Sequence, residues 1–266
     1  MPELPEVETV SRILEKKIIN KKIRDITINY PRMIKTDINS IKDNLINQTF
    51  LKFKRRGKYL IFELNDFILV THLRMEGRFY VSKDLDLKHI HVIFNLGDVN
   101  LYYQDFRKFG TMSLYPKDTD IEKILNLGVE ALDVSYEYIK SIMNTNKSIK
   151  EVLLDQKLIA GIGNIYSDEI CFRSKLHPES TCNKLSEKDY ENISNQIKSV
   201  ITDAIEAGGF SVRKYTDSLV SGRFDFENMN IFRDKKYCIK CNTLINKIKV
   251  KGRGTYVCNN CQELVK

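Results

Sequence analysis

Four cysteines near the end of the chain have the spacing of metal ligands. They form two Cys-x2-Cys pairs with sixteen residues between the pairs: Cys238, Cys241, Cys258 and Cys261. Thiolates in this arrangement surround one Zn2+ tetrahedrally between two turns, and four of them leave no position for a reactive water. The pattern therefore predicts one structural zinc ion with no part in catalysis. Cys171 and Cys182 fall outside the pattern and are expected to be core or surface thiols.

A basic segment lies between the two cysteine pairs. Residues 247–255 alternate cationic and apolar side chains, and Gly252 and Gly254 would let the backbone come close to a phosphate. A basic hairpin stapled by zinc is typical of DNA-binding proteins. Zinc ribbons also bind protein partners, and a charged face can simply be solvated, so both alternatives stay open for this segment.

The amino terminus could supply a nucleophile. Removal of Met1, which is usual before a small second residue, would leave Pro2 with a secondary amine that can attack a sugar C1′ and form an iminium, as Schiff-base lysines do. Glu3 and Glu6 are close enough in sequence to act as acid or base. The alternative is structural, because Pro5 and acidic residues are also what the first turn of a helix prefers.

Other clusters of cationic and apolar side chains could contact a damaged duplex. A segment with five cations in seven residues ends at Lys58 and could carry this lysine into a cleft, or it could be only a basic sheet edge. The turns 72–77 and 105–110 place Met75 and Phe109 beside arginines. An enzyme that extrudes a base needs such a wedge to fill the vacated stack. The alternative for both side chains is a place in the core.

The charge balance indicates an anionic partner. The 266 residues include 43 Lys and Arg against 35 Asp and Glu, a formal charge of +8, and residues 232–266 hold nine basic against two acidic side chains. With 42% hydrophobic residues the chain can fill real cores, which excludes disorder as its main state. The sequence shows neither an apolar run of about 18 residues nor a signal-peptide pattern. We therefore expect a cytoplasmic protein with reduced thiols and no membrane partner.

The elements that must position these groups follow from the hydrophobic spacing. Apolar residues after Pro5 recur at helical intervals as far as Ile18. Short alternating runs broken by turn residues then continue to Leu114. This pattern predicts a leading helix followed by antiparallel hairpins in a sandwich or barrel.

Helical spacing returns in the second half of the chain. It runs over 136–207, where Ser186 is the predicted N-cap of a long helix that stops before Gly208. Within this region the turn 161–164, GIGN, opens a helix whose free N–H groups could seat a phosphate, although a tight interhelical turn explains the motif equally well. Residues 210–230 show no clear period, which is typical of a long functional loop.

These residues together resemble the formamidopyrimidine-DNA glycosylase family of base excision repair, within the bacterial Fpg/Nei superfamily. The matching stretches run nearly from end to end: 2–9 (PELPEVET), 56–60 (RGKYL), 72–77 (HLRMEG), Asp105 with Arg107 and 109–110 (FG), 153–156 (LLDQ), 160–166 (AGIGNIY), and the four-cysteine finger with 253–255 (RGT). The terminal octapeptide and the GIGNIY turn are specific to this superfamily.

The resemblance implies an α+β multidomain fold. It consists of an N-terminal antiparallel β-sandwich with a leading helix, and of a C-terminal helix-two-turn-helix domain with a zinc-finger β-hairpin; DNA is expected in the groove between them. The expected divisions are a catalytic domain at 1–116, a linker at 117–135, the helix-two-turn-helix domain at 136–231 with a lesion loop at about 210–230, and the four-cysteine zinc finger at 232–266.

The resemblance also implies roles for the candidate residues. Pro2 is the expected nucleophile, Glu3 its acid/base partner, and Lys58 the residue that assists at the phosphate and the sugar. The residues expected to hold the extruded base or to fill its place are Glu6, Met75, Arg107 and Phe109, with Arg107 facing the orphaned cytosine. The expected phosphate contacts are His72, Asn164 and Arg253.

The sequence departs from the family pattern at two places. The usual Asp-Pro-Arg-Arg-Phe-Gly reads DFRKFG here, with Phe106 in place of the proline and Lys108 in place of an arginine. In the lesion-capping loop the usual Ser-Asp-Gly stretch is replaced by 218–223, SLVSGR, and Ile231 and Phe232 replace a tyrosine and a glycine. Backbone amides of this loop usually hold 8-oxoguanine, so the lesion preference stays open.

Three functional hypotheses follow. The leading one is a bifunctional DNA glycosylase and abasic-site lyase that excises oxidised purines, namely 8-oxoguanine and formamidopyrimidines, through a proline Schiff base and β,δ-elimination. The second keeps this chemistry and prefers oxidised pyrimidines or other ring-opened lesions. The third is a non-catalytic, zinc-stabilised protein. All three predict a monomer that binds damaged double-stranded DNA and that associates with the nucleoid when bound.

Overall fold

A computed structural model describes residues 1–209, 229–232 and 235–266 of the chain. The described residues divide into two compact units. Met1–Ile124 form the first with Gly208 and Gly209, and Leu125–Ala207 form the second with the described residues from 229 onward. Within these ranges no helix combines the length and the apolar character needed to cross a membrane.

Helix α1 (Leu4–Ile18) opens the first unit. Val7, Val10 and Leu14 are at most 1% exposed, because the helical spacing of the apolar residues turns them all towards the core. Glu3 is the N-cap, and Glu3 and Glu6 form a capping box in which each carboxylate accepts the backbone N–H of the other residue. The predicted leading helix is therefore present, and its first turn orients both carboxylates.

Two four-stranded antiparallel sheets make up most of the first unit. Their strands are β1 (Asp25–Ile28), β2 (Lys52–Arg56), β3 (Tyr59–Glu63), β4 (Phe67–His72), β5 (Arg78–Ser82), β6 (Ile90–Asn95), β7 (Asn100–Gln104) and β8 (Thr111–Pro116). Helix α2 (Ile38–Leu45) lies between β1 and β2 in the chain. One sheet has the strand order β1-β6-β7-β5, and the other has the order β2-β3-β4-β8.

The two sheets share one hydrophobic core. Phe62 of β3 and Phe79 of β5 belong to different sheets, yet their ring centroids lie 5.9 Å apart in an edge-to-face contact. Both rings are at most 1% exposed. Sheets that pack through their apolar faces in this way form a β-sandwich, as predicted.

The chain between β8 and Ala207 is mainly helical. Its elements are α3 (Ile121–Leu125), β9 (Val129–Glu130), α4 (Tyr136–Ile142), α5 (Ile149–Leu154), β10 (Ile159–Ala160), α6 (Asn164–Arg173) and α7 (Glu187–Glu206). Helix α3 and strand β9 fall within 117–135, the expected linker. Ser186 caps α7 in a capping box with Asp189, as predicted. Gly208 and Gly209 follow α7 with φ of 84° and 78°, values that suit glycine after a helix.

The cysteine-bearing segment contains a β-hairpin of β11 (Asn246–Val250) and β12 (Arg253–Val257). Lys251 and Gly252 have φ of 44° and 77°, and they form the two-residue turn with the backbone twist that hairpins favour. The sandwich with its leading helix, the helical region and this hairpin confirm the predicted α+β multidomain fold.

Candidate active site and nucleic-acid interface

The amino terminus lies among carboxylates and a lysine. Burial lowers the pKa of the Met1 amine; the carboxylates of Glu3 and Glu6 oppose this change, and the ammonium of Lys58 adds to it. Pro2 is buried, and Glu3, Glu6 and Lys58 are each at most 5% exposed. An amine that releases its proton readily is available as a nucleophile. Removal of Met1 would put the secondary amine of Pro2 next to the same groups.

Lys58 reaches this site from a tight hairpin turn. The register of β2 and β3 leaves Gly57 and Lys58 to make the turn, and Gly57 has a φ of 55°, which glycine adopts without strain. Arg55 of the same hairpin donates to Glu8 of α1 at 3.0 Å. The side chain of Arg55 is 8% exposed in this ion pair. The hairpin that carries Lys58 is thereby tied to the helix that begins after Glu3.

His72 lies at the end of β4 with a neutral imidazole. Burial is the main cause that lowers the pKa of His72 to about 3, and the charges of Arg74 and Lys58 lower it further. The backbone N–H of Arg74 donates to Nδ1 at 2.9 Å, so the ring proton is assigned to Nε2. The ring packs edge-to-face against Tyr59 with centroids 4.5 Å apart. The arrangement holds an N–H donor in one orientation, which suits a phosphate oxygen.

The turns that carry Met75 and Phe109 both pack against the hydroxyl of Tyr103. Tyr103 is fully buried, and its Oη finds no hydrogen-bond partner among the described residues. A Cβ added at Gly77 would lie 2.2 Å from this oxygen, and one added at Gly110 would lie 1.7 Å from it. Glycine at both positions therefore lets the two turns approach the same tyrosine. The side chains of Met75 and Phe109 remain 38% and 52% exposed.

A buried carboxylate holds the shape of the second turn. Asp105, which is 1% exposed, accepts the backbone N–H of Arg107 at 3.0 Å and that of Gly110 at 2.7 Å. Between these anchors Arg107 and Phe109 are exposed and contact each other, with the guanidinium carbon 4.9 Å from the ring centroid. The turn presents these two side chains together on the surface of the first unit.

In the second unit a hydrogen bond joins the start of α6 to the zinc-finger hairpin. Asn164 Nδ2 donates to the carbonyl oxygen of Gly254 at 2.9 Å, directly after Arg253 in β12. Gln156 holds the turn before α6, because its Oε1 accepts the backbone N–H of Gly161 at 3.0 Å. The structure therefore brings Asn164 close to the strand that begins with Arg253.

A buried ion pair supports the same strand. The ammonium of Lys150 is fully buried; it donates to the Asp168 carboxylate and, at 2.6 Å, to Thr255 Oγ1. Thr255 in turn donates to the carbonyl oxygen of Arg253 at 3.0 Å. Asp168 also accepts the backbone N–H of Tyr256 at 3.1 Å. These contacts connect α5, α6 and β12 through charged groups that water does not reach.

Glu169, the neighbour of Asp168 on α6, binds the chain that enters the finger. Its fully buried side chain accepts the backbone N–H groups of Asn230 at 2.9 Å and of Ile231 at 3.2 Å, and it pairs with Arg173 at 2.8 Å. These contacts fix the described residues that follow the expected lesion loop. Most of that loop, with the stretch 218–223, lies outside the described residues.

The four cysteines of the finger converge on one point. The Sγ atoms all lie within 4.8 Å of one another. Cys238 and Cys261 are 3.8 Å apart, and Cys241 and Cys258 are 3.5 Å apart. Sulfurs at ~2.3 Å from a tetrahedral Zn2+ are separated by ~3.8 Å, so these residues fit one zinc ion.

Several residues that support the site were not predicted from the sequence. Lys150 could have been found from the sequence, because a lysine flanked by the buried apolar residues of α5 needs a buried partner. Tyr103 could not have been found in this way, since its role depends on glycines from two separate turns. Asp168 and Glu169 read as ordinary helix-surface carboxylates until the finger covers them.

Three family models match the chain. "Formamidopyrimidine-DNA glycosylase N-terminal domain" matches 1–112, "Formamidopyrimidine-DNA glycosylase H2TH domain" matches 127–216, and "Zinc finger found in FPG and IleRS" matches 236–264. The third match and the cluster of four sulfurs confirm the predicted structural zinc.

Similar proteins span nearly the whole chain. The formamidopyrimidine-DNA glycosylase of Shouchella clausii is 42% identical over an alignment of 273 positions, which covers 98% of this chain and 99% of that protein. The wild-type Lactococcus lactis Fpg bound to DNA containing N7-benzyl-Fapy-dG is 39% identical, with a TM-score of 0.92 and coverage of 98% and 100%. The same enzyme bound to DNA containing an oxidised pyrimidine is 38% identical, with the same TM-score and coverage.

Proposed function

The chain belongs to the formamidopyrimidine-DNA glycosylase family, and from this premise we propose how its own residues carry out the reaction. The protein is a DNA glycosylase of base excision repair that acts on oxidised purines and formamidopyrimidines, and it is also an abasic-site lyase. Its partner is damaged DNA. The observation that carries the assignment of residues is that Glu3, Glu6 and Lys58 act electrostatically on the terminal amine, while Pro2 and these three side chains are buried.

In the proposed reaction Pro2, freed from Met1, is the nucleophile. Its nitrogen bonds to C1′ of the damaged nucleotide while the bond from C1′ to the base breaks, and the base leaves with a proton. Glu3 protonates the sugar ring oxygen as the ring opens, which leaves an iminium between Pro2 and C1′. The iminium acidifies C2′; loss of a C2′ proton expels the 3′-phosphate, and a second elimination expels the 5′-phosphate.

The other candidate residues bind and orient the DNA in this proposal. Lys58 assists at the phosphate and the sugar of the damaged nucleotide, and Glu6 helps to hold the extruded base. The residues that fill the vacated stack are Met75, Arg107 and Phe109, with Arg107 towards the orphaned cytosine. The phosphate contacts are His72, Asn164 and Arg253. The zinc ion holds the finger that carries Arg253, and no step of the reaction passes through it.

Borohydride trapping tests the nucleophile, because reduction of the iminium leaves a stable covalent adduct. We expect an adduct on a duplex with 8-oxoguanine opposite cytosine and on one with a preformed abasic site, and we expect Pro2→Gly to weaken or abolish both. Arg12→Ala is the matched control, since it changes a side chain on the same helix that is 60% exposed. Failure of the wild-type protein to trap either duplex would overturn the assignment.

A second lesion preference has its own support. Ile231 and Phe232 replace residues of the usual lesion-capping loop, and the similar Lactococcus lactis enzyme has been solved with an oxidised pyrimidine. Single-turnover excision from matched duplexes with 8-oxoguanine, a formamidopyrimidine and an oxidised pyrimidine separates the two preferences. The purine assignment requires the first two to be processed faster than the third.

For the cellular context we propose a cytoplasmic monomer that associates with the nucleoid when bound to DNA. The cationic finger, with nine basic against two acidic residues at 232–266, supports the association. Fluorescence microscopy of a tagged protein before and after oxidative damage tests the location. Sedimentation of the zinc-loaded protein tests the monomer, and a stable dimer at micromolar concentration would contradict it.

A further inference from the structure

Phe106 is a large apolar side chain left on the surface beside the wedge residues. It is 46% exposed and directly precedes Arg107, on the turn that the Asp105 carboxylate closes through two backbone hydrogen bonds. The usual family residue at this position is proline, whose ring has no π face. The family pattern therefore assigns no contact of this kind to the position.

The ring of Phe106 has two described partners, both in the first unit. The guanidinium carbon of Arg78 lies 5.7 Å from its centroid, and the imidazole of His89 lies 4.8 Å from it at an interplanar angle of 48°. Arg78 Nε is buried and finds no hydrogen-bond acceptor among the described residues. These contacts restrict the orientation of the ring while almost half of the residue stays exposed.

The surroundings of Phe106 are cationic. Arg78 lies over its ring, Arg107 and Lys108 follow it in the turn, and both of these side chains are exposed. Proteins that bind single-stranded nucleic acid use aromatic rings next to cationic groups, because every base offers a π face and every nucleotide a phosphate. A protein that extrudes one nucleotide creates a short unpaired region of this kind in the opposite strand.

We propose that Phe106 is a further DNA-contacting residue, which stacks on a base of the undamaged strand next to the orphaned base. The inference rests on the proposed function, since it takes Arg107 to face the orphaned base. Successive Cα atoms lie ~3.8 Å apart and successive bases of one strand ~3.4 Å apart, so the residue before Arg107 is within reach of the neighbouring base. Stacking there keeps the undamaged strand ordered while the lesion is outside the helix.

Equilibrium binding to an uncleavable duplex measures the contribution of the ring. The probe is a duplex with a tetrahydrofuran abasic analogue opposite cytosine, and the protein is the zinc-loaded full chain. We expect Phe106→Leu to raise Kd about 5- to 10-fold, the lower part of the range for base–aromatic stacking, and Phe106→Trp to change it less than 2-fold. Leu51→Ala, at a site that is 40% exposed, is the control and leaves Kd unchanged.

A protein–DNA double-mutant cycle identifies the stacked base. Two further duplexes lack the base on the 5′ or the 3′ side of the orphaned cytosine. We expect the difference between wild type and Phe106→Leu to disappear on one of them and to persist on the other. A Phe106→Leu effect of equal size on all three duplexes, or no effect on any, overturns the proposal, because the side chain would then only shape the turn or contact nothing.

Separate experiments test the stacking role of Phe106 and the assignment of the catalytic nucleophile. Borohydride trapping of wild type and Phe106→Leu on an abasic duplex, at protein concentrations that saturate both, reports the nucleophile alone. Equal trapping of the two proteins together with the base-specific coupling supports the stacking role. If wild type traps nothing while the coupling is present, the catalytic assignment fails and the DNA contact stands.

Discussion

The neutral imidazole of His72 shows how a single site residue depends on its surroundings. The pKa of about 3 means that the folded protein takes up no proton at this ring in mildly acidic solution, whereas the ordinary histidine of the unfolded chain does so near pH 6.5. The neutral imidazole can still contact a phosphate. A neutral ring with its proton on Nε2 still donates a hydrogen bond, and the charge is supplied by the neighbouring Arg74 and Lys58.

This difference predicts a pH dependence of stability. Above pH 6.5 the His72 ring is neutral in both the folded and the unfolded protein, and its contribution to the free energy of unfolding is fully present. As the pH falls from 6.5 towards 3, only the unfolded protein binds a proton at this ring, so the stability of the fold decreases. The slope from this residue is at most about 1.4 kcal/mol per pH unit. Urea unfolding from pH 7 to pH 4 should show a shallower loss for His72→Gln than for wild type.

The control for that series is Leu51→Ala, because Leu51 is exposed and its side chain binds no proton. It should follow the wild-type slope. If His72→Gln and wild type lose stability in parallel, the imidazole is not held neutral in the folded state.

Arg253 carries a prediction about charge at the residue scale. Its side chain is exposed at the start of β12, and its backbone is held by the Thr255 hydroxyl at 3.0 Å. If it contacts one phosphate, Arg253→Ala should reduce the slope of log K against log salt concentration by about 1. Fluorescence anisotropy between 50 and roughly 300 mM KCl measures the slope. Lys184→Ala, which removes an exposed cation elsewhere in the second unit, should leave it unchanged.

At the scale of elements, the two turns that carry Met75 and Phe109 depend on the packing of two glycines against one tyrosine. Gly110→Ala puts a Cβ 1.7 Å from Tyr103 Oη, so the turn between β7 and β8 or the tyrosine must move. Overpacking of this kind costs about 1–3 kcal/mol. We expect that loss in urea unfolding, together with weaker binding to a tetrahydrofuran duplex, because the turn also carries Arg107 and Phe109.

The double variant Gly110→Ala with Tyr103→Phe tests the cause. Removing the hydroxyl deletes the atom nearest to the new methyl group, and that hydroxyl has no partner among the described residues, so part of the stability should return. No recovery in the double variant would show that the clash with Tyr103 Oη is not what destabilises the alanine.

The contacts of the zinc-finger hairpin with α5 and α6 lead to a second prediction at this scale. Lys150→Met would leave the buried Asp168 carboxylate without its counter-charge, and breaking a buried pair in this way costs about 3–5 kcal/mol. We expect that loss in unfolding free energy and a faster transfer of zinc to a chromogenic chelator. In Lys150→Met with Asp168→Asn no charge is left unpaired, so the double variant should lose less than the single one.

Lys147→Met is the matched control on the neighbouring surface. Its side chain is 53% exposed and its ammonium lies 3.9 Å from the Asp155 carboxylate, so the pair is screened by water and its loss should cost less than about 0.5 kcal/mol. Equal losses for Lys147→Met and Lys150→Met would contradict the buried network.

At the scale of the whole molecule, the proposed catalytic residues and much of the net charge belong to different units. Pro2, Glu3 and Lys58 are in the first unit, whereas residues 232–266 carry nine basic against two acidic side chains. Among the described residues, the core cluster of the finger is centred on its four cysteines, and Ile231, Ile245, Tyr256 and Phe172 of α6 pack with them. Its fold therefore depends on zinc.

Removal of zinc should separate binding from chemistry. After chelation and confirmed metal loss we expect weaker duplex binding by at least tenfold, because the hairpin no longer presents Arg253, while the β-sandwich keeps its fold. Borohydride trapping at saturating abasic DNA should persist, since Pro2 lies in the other unit. Unchanged affinity in protein shown to be free of zinc would refute the structural role of the metal in binding.

The features that local patterns encode follow from the amino-acid sequence alone. Helical spacing and acidic capping residues define α1, alternation and turn residues define the hairpins, and the cysteine spacing defines the zinc ligands. The family motifs also indicated which residues to follow, from Pro2 to Arg253. Each of these signals is local because a helix, a hairpin or a metal knuckle is built from residues near one another in the chain.

Features that depend on residues far apart in the chain required the folded structure. The neutrality of His72 requires burial together with the charge of Lys58, and the meeting of two turns requires Gly77 and Gly110 to pack on Tyr103. The pairing of Lys150 with Asp168 and Thr255 is likewise invisible along the chain. Burial and close packing are properties of the folded surface, so pKa values, steric limits and buried ion pairs follow from the fold and not from spacing alone.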